Sequence, residues 1–194
     1  MIDLIKKILY IFLTVLIILS GQYIAEHIGY IHYEIDKKTD LYDITHKILP
    51  DLHRYNIIIN IIPIILIIYL FINDNGSKIF RDILFALPVV YIIRALTIMS
   101  TILPKHETCV AETNIISNFI NGGGCYDKVF SGHTSFVAIF TLSMYYNKLI
   151  NSVSFFIINI INSLLLLMTR AHYTVDIILG FIISYLVYQV EKTM

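Results

Sequence analysis

Six apolar stretches divide this chain, near residues 4–24, 57–72, 83–103, 135–150, 153–168 and 173–190. A helix needs about 20 mostly apolar residues to cross roughly 30 Å of hydrocarbon. The stretches meet or approach that length, and the shorter ones can thin the bilayer or extend into their flanks. Within lipid the backbone must satisfy its own polar groups, which selects helices. The expected fold is all-α, a polytopic six-helix transmembrane bundle, with 1–194 forming a single membrane-embedded domain. Charged residues make up only 14% of the sequence, against roughly a quarter in an average globular chain. A disordered tail, a nucleic-acid binder and a cytosolic enzyme are therefore poor fits. Lys+Arg and Asp+Glu both number 14, so no global field recruits a polyanion, and no nucleic-acid partner is expected.

Lys6-Lys7 followed by an apolar run also fits a signal peptide. No convincing small-x-small cleavage site follows, and the apolar run continues to Ile24, so retention as a first span is expected. Pro50 should stop any helix running into the second span, whereas Pro63 and Pro88 lie inside apolar runs, which membrane helices tolerate. Counting positive charges near the span ends, Lys6-Lys7 and Lys78/Arg81 set the N-terminus on the cytoplasmic side.

Three pieces of sequence are expensive in a membrane. One is Gly122-Gly123-Gly124-Cys125-Tyr126-Asp127-Lys128-Val129-Phe130-Ser131-Gly132-His133-Thr134; another is Thr169-Arg170-Ala171-His172-Tyr173-Thr174-Val175-Asp176; the third is Arg94. Ionisable groups at membrane depth usually mark a pathway or a site. His133 opens the fourth span, which runs to a turn near residues 147–151, and the fifth span returns. Each leg of about 17 residues, at about 1.5 Å per residue, is one crossing, so His172 emerges where His133 began. Arg94 lies nearer the same side.

His172 and Asp176 are four apart and share a helical face. A carboxylate on one ring nitrogen fixes the tautomer and leaves the other nitrogen basic. Ser131 can cap the helix that His133 opens, Gly132 permits close backbone approach, and free amide N–H groups there favour an anion. Arg94 and Arg170 can grip phosphate oxygens through forked hydrogen bonds. These are the parts for phosphoryl transfer without metal or cofactor. His172 would attack phosphorus to give a phosphohistidine, and His133 would protonate the leaving alkoxide and then deprotonate the acceptor. Arginines and helix-start amides would stabilise the added charge.

Plainer readings stand beside these. Ser-Gly-His-Thr alone is an ordinary helix cap, and His172 with Asp176 alone is a polar pair joining two helices. Arg94 could snorkel or neutralise an acid, and Arg170 could be an interfacial cation. Gly122-Gly123-Gly124 reads as a flexible approach or a phosphate nest. Asp127 and Lys128 read as loop charges or partners of the site residues. His27, His32, His46, His53 and His106 read as solvated loop residues. Zinc ligation by His106, Cys109 and Cys125 lacks paired ligand spacing, while a Cys109–Cys125 disulfide is open in an oxidising compartment. The 14 tyrosines, with no Trp, should form the interfacial belt, Tyr145, Tyr146, Tyr185 and Tyr188 on the inner side. A transporter with charges lining its path is the rival of another class, although no internal repeat supports it.

Ser131-Gly132-His133-Thr134 followed by His172-Tyr173-Thr174-x-Asp176 resembles the lipid-phosphotransferase branch of the type 2 phosphatidic acid phosphatase superfamily, sphingomyelin synthases in particular. Leu49-Pro50-Asp51 and Tyr91-Ile92-Ile93-Arg94-Ala95-Leu96-Thr97, leading to Thr101-Ile102-Leu103-Pro104, extend the likeness over roughly residues 49 to 180. Arg170 stands only two before His172, and the Lys-x6-Arg-Pro string of the simple phosphatases is missing, which favours the synthase-like branch. Asp127 keeps its place four before Ser131, although the neighbouring Gly is displaced. The resemblance implies a catalytic triad of His133, His172 and Asp176 on the non-cytoplasmic side of a six-helix bundle. It also implies movement of a phospho-head group, phosphocholine or a relative, from a glycerophospholipid to ceramide. A lipid phosphatase or diphosphatase with the same triad would use water as acceptor.

Overall fold

A computed structural model describes residues 2–35, 41, 43–74, 76–106, 109 and 124–193. Gly122 and Gly123 lie outside them. Seven α-helices and no strand occur among the described residues. Helix α1 (Ile2–Gly29) runs on into a π-helical turn over Tyr30–Ile35, and α2 (Ile44–Ile48) is short. A 3-10 run, His53–Asn60, leads into α3 (Ile61–Ile72), and α4 spans Gly76–Ser100. The chain closes with α5 (Gly132–Tyr146), α6 (Ser152–Met168) and α7 (Thr174–Thr193).

Helix α5 is the axle of this arrangement, packed on α3, α4, α6 and α7. From Val137 through Met144 every residue of it is buried. A helix buried all round needs no apolar outer face, so it carries Thr141 and Ser143 without cost to solubility. Thr141 donates to its own helix and accepts from Asn159 of α6 at 2.9 Å. Helix α1 packs on α4, where Gly21 meets Ala95 closely enough that an added Cβ would lie 3.1 Å from the Ala95 methyl.

The outward faces are apolar, as with Phe71, Phe85, Leu96 and Leu186, all exposed. Lipid rather than water suits such a surface. Three helical stretches are long and apolar enough to cross a membrane: His53–Ile72 (counting the 3-10 run), Gly76–Ser100 and Thr174–Thr193. Leu9–Ile24 and Ser152–Met168 are apolar but shorter. The fourth expected span is shifted toward the N-terminus. It starts three residues early, capped by Ser131, and stops at Tyr146 because Asn147 caps it and Lys148 takes φ 60°. Leu149 and Ile150, expected inside the span, pack on the core from the turn. Pro50 acts as expected: α2 ends at Ile48 and Leu49 is extended.

The end of the bundle at the α5–α6 turn is tied by Asp82, fully buried on α4. Its Oδ2 accepts from Ser143 Oγ at 2.7 Å, Tyr188 Oη at 3.0 Å and Asn147 Nδ2 at 3.1 Å, and pairs with Lys192 Nζ at 3.0 Å. Tyr188 is thus a core residue, not the interfacial one expected, because its hydroxyl has this acid to reach.

Candidate active site

At the opposite end, the first turn of α5 is wedged between α4 and α7. Ser131 caps it, its Oγ accepting from Thr134 N at 3.1 Å. Its backbone N–H donates to the Asp176 carbonyl at 3.0 Å. Two glycines allow the fit. An added Cβ on Gly132 would stand 3.2 Å from Arg94 Nε, and one on Gly180 of α7 would stand 3.0 Å from the Ser131 carbonyl oxygen. Tyr91 Oη donates to the Gly132 carbonyl at 3.1 Å. His133 follows, its Nε2 2.9 Å from Asn60 Oδ1 on the 3-10 run.

The α6–α7 turn carries His172. Arg170 sits in it with φ 58°, a left-handed conformation that non-glycine residues adopt sparingly. Its carbonyls are fastened one after another. Met168 O accepts from Leu52 N at 2.7 Å, and Thr169 O from His53 Nδ1 at 3.1 Å. Lys128 Nζ donates to Arg170 O at 3.2 Å and Ala171 O at 2.9 Å. His172 O accepts from His46 Nε2 at 3.0 Å. Unpaired buried carbonyls are costly, and here donors from segment 46–53 and from Lys128 meet that need.

His172 is itself buried, with Nδ1 3.0 Å from the Lys128 carbonyl oxygen and 3.6 Å from Asp176 Oδ2. A carbonyl can only accept, so Nδ1 carries the proton and Nε2 the lone pair. Asp176 Oδ2 accepts from Tyr173 N at 2.9 Å, which holds the carboxylate in the first turn of α7. His133, His172 and Asp176 thus lie at one end of the bundle.

Both arginines are buried and grip protein carbonyls. Arg94 Nε donates to Phe130 O at 2.8 Å and Nη2 to Asp127 O at 2.7 Å, with Asp127 Oδ2 at 3.4 Å. The Asp127–Phe130 loop is thereby tied to α4. Arg170 Nη2 donates to Leu49 O at 2.8 Å and Nη1 to Leu167 O at 3.2 Å, and Nε lies 3.8 Å from Asp51. Leu49 and Asp51, noticed in the sequence apart from Arg170, therefore meet it in the fold.

Several expectations need correction. His46, His53 and His106 are partly buried and engaged rather than solvated: His106 Nε2 is 3.3 Å from Asp51, and the His53 and His106 rings are 4.9 Å apart. Burial pushes the His46 and His106 imidazoles below the ordinary histidine range. Cys109 and Cys125 form a disulfide, Cα–Cα 5.9 Å, which leaves neither thiolate free for zinc. Of the two readings of Lys128, loop charge or partner of the site residues, the structure shows the second. Burial lowers its ammonium from the usual lysine range, while Asp176, Asp127 and Glu26 pull it back up. Glu26 of α1 in turn accepts from Tyr126 N at 2.7 Å and shapes the same loop.

Asn60 and Asp43 were not singled out from sequence, and His46 and Tyr91 were named there without a role in the site. Asp43 accepts from Thr174 N at 2.7 Å and from Thr45 N at 2.9 Å. Burial alone would raise its carboxyl, but the bonds from Thr45, Thr174 and His46 hold it down at about 2. The available signal was the crowding of Asp and His residues in the long loop before the second span.

Residues 124–193 match the family model described as PAP2 superfamily C-terminal. The match contains His133, His172 and Asp176. It supports the type 2 phosphatidic acid phosphatase superfamily and a lipid phosphatase- or phosphotransferase-type function in a membrane protein. No curated protein matches the chain.

Proposed function

We propose that the chain is a multi-pass lipid phosphotransferase. It would move a phospho-head group, phosphocholine or a close relative, from a glycerophospholipid to ceramide through a phosphohistidine. The observation that carries this reading is the Ser131 N–H bond to the Asp176 carbonyl, which joins the starts of the helices bearing His133 and Asp176, with His172 in the turn just ahead of the latter. His172 Nε2 attacks phosphorus, and the bond to the diacylglycerol oxygen breaks as His133 delivers a proton to it. His133 then takes the proton of the acceptor hydroxyl, whose oxygen attacks the phosphohistidine and frees His172. Asp176 supports the positive charge that His172 acquires. A helix start leaves its first amides without intrahelical partners, so those of Gly132 and His133, with Arg94, are suited to the phosphate oxygens.

In this reading all six long helices cross the bilayer, with α5 shielded at the centre. The active site faces the non-cytoplasmic side, consistent with a disulfide at that end and with the oxidising compartments where such bonds persist. Arg81, Lys148 and Lys192 gather at the other end, as cytoplasmic loops prefer.

Purified protein incubated with head-group-labelled phosphatidylcholine and ceramide tests the proposal. Labelled sphingomyelin is the expected product. Free phosphocholine alone would replace the transferase by a hydrolase with water as acceptor, and no turnover of any phospholipid would overturn the reading.

A further inference from the structure

We infer that Lys128 is a positioning residue for His172, working in two directions at once; the inference rests on the nucleophilic role proposed for that histidine. Three hydrogen bonds run between the same two segments, one in one direction and two in the other. The Lys128 carbonyl accepts from His172 Nδ1 at 3.0 Å, while its Nζ donates to Arg170 O at 3.2 Å and Ala171 O at 2.9 Å. One residue therefore sets the ring's tautomer through its backbone and the ring's place through its side chain. The ammonium is 5.8 Å from the centre of the Tyr173 ring, and Lys128 is 4% exposed. A buried charge is tolerated only when well paired. Three donors aimed at two carbonyls and an aromatic face meet that condition, and a solvated loop lysine would make none of these contacts.

Asp176 alone does not supply this positioning. Its Oδ2 stands 3.6 Å from Nδ1 and already accepts from Tyr173 N. The nearest acceptor of the imidazole N–H is the Lys128 carbonyl, and the distance between that carbonyl and the ring depends on the Nζ bonds that draw the loop onto the turn. Neither Lys128 atom is needed to touch the lipid.

The test compares Lys128→Met, which keeps the stem and removes the donors, with Lys128→Gln, which keeps an N–H donor on a shorter stem. Both are assayed in full-length protein with labelled phosphatidylcholine and ceramide. Lys128→Met should lower kcat at least 10-fold with KM within 2-fold, and the phosphohistidine should form slower by the same factor. Lys128→Gln should lie between it and the parent. The acidic limb of the rate–pH profile should also move to higher pH in Lys128→Met, because a cation is removed beside Asp176, Asp127, Glu26, His46 and His106, leaving Arg94 and Arg170 as the cations around His172. A kcat within 2-fold of the parent in both variants overturns the inference. A rise in KM at constant kcat also overturns it, since Lys128 would then bind substrate directly. His172→Ala keeps the two readings separate. If it retains turnover, the nucleophile assignment fails; if it is inactive while Lys128→Met is normal, only the positioning role falls.

Discussion

Arg170 Nη2 donates to the Leu49 carbonyl at 2.8 Å, a bond between residues 121 apart in sequence. The same guanidinium donates to Leu167 O and faces Asp51. A planar fork serves such divergent acceptors and a lysine ammonium does not. Arg170→Lys should therefore reduce stability by about 2 kcal/mol, read as a lower unfolding temperature in detergent. Unchanged stability with weaker substrate binding would make Arg170 a phosphate ligand instead.

The triad predicts a graded series. His172→Ala removes the nucleophile and His133→Ala the proton carrier, so each should cost about 10²- to 10⁴-fold in kcat. Asp176→Asn keeps the shape and the bond to Tyr173 but loses the charge, and a smaller loss is expected. Because these losses share one chemical step, the triple variant should be scarcely slower than His172→Ala. Steady-state rates of lipid turnover check the order.

Asp82 gives the opposite pattern. Ser143, Tyr188, Asn147 and Lys192 all converge on one buried oxygen, and removing one member of a buried charged set costs about 3 to 5 kcal/mol. Ten residues of α5, at about 1.5 Å each, separate Ser143 from His133 by about 15 Å. Asp82→Ala should unfold at much lower temperature yet show an unchanged KM in whatever fraction remains folded.

His46 and His106 make stability depend on pH. Both imidazoles have a folded pKa below the unfolded value near 6.5, because burial penalises the cation. The unfolded chain thus binds more protons, and the stabilisation is complete above about pH 6.5 and lost as the pH falls from there. Unfolding temperatures measured from pH 7.5 to 5.5 should decline. The double variant His46→Gln/His106→Gln should decline less steeply, even if it starts lower.

The helices were legible because apolar runs are long-range signals that survive any local detail. Their ends were less so. Residues 57–60, read as span, are 3-10 helix ahead of Ile61, and α4 begins at Gly76 because Asp82 finds buried partners instead of ending the span. That His133, His172 and Asp176 come to one end of the bundle was readable as well, since Ser-Gly-His and His-x3-Asp are short local patterns and one hairpin brings them together. The particular contacts of Lys128, His46 and Asn60 were not. Their roles lie in hydrogen bonds to distant backbone carbonyls or to a ring 73 residues away, and such bonds impose no spacing on the sequence. The arginines were ambiguous for a related reason: a forked donor suits a phosphate and a pair of carbonyls equally well, and in the fold both reach carbonyls.

The bed beneath His172 is complete before any lipid arrives. With the carbonyls from Met168 to His172 already bound, this turn has no slack with which to wrap a substrate, and the imidazole's aim is set when the chain folds. Adjustment during a reaction then falls to the incoming head group, which must bring its phosphorus to a fixed nitrogen.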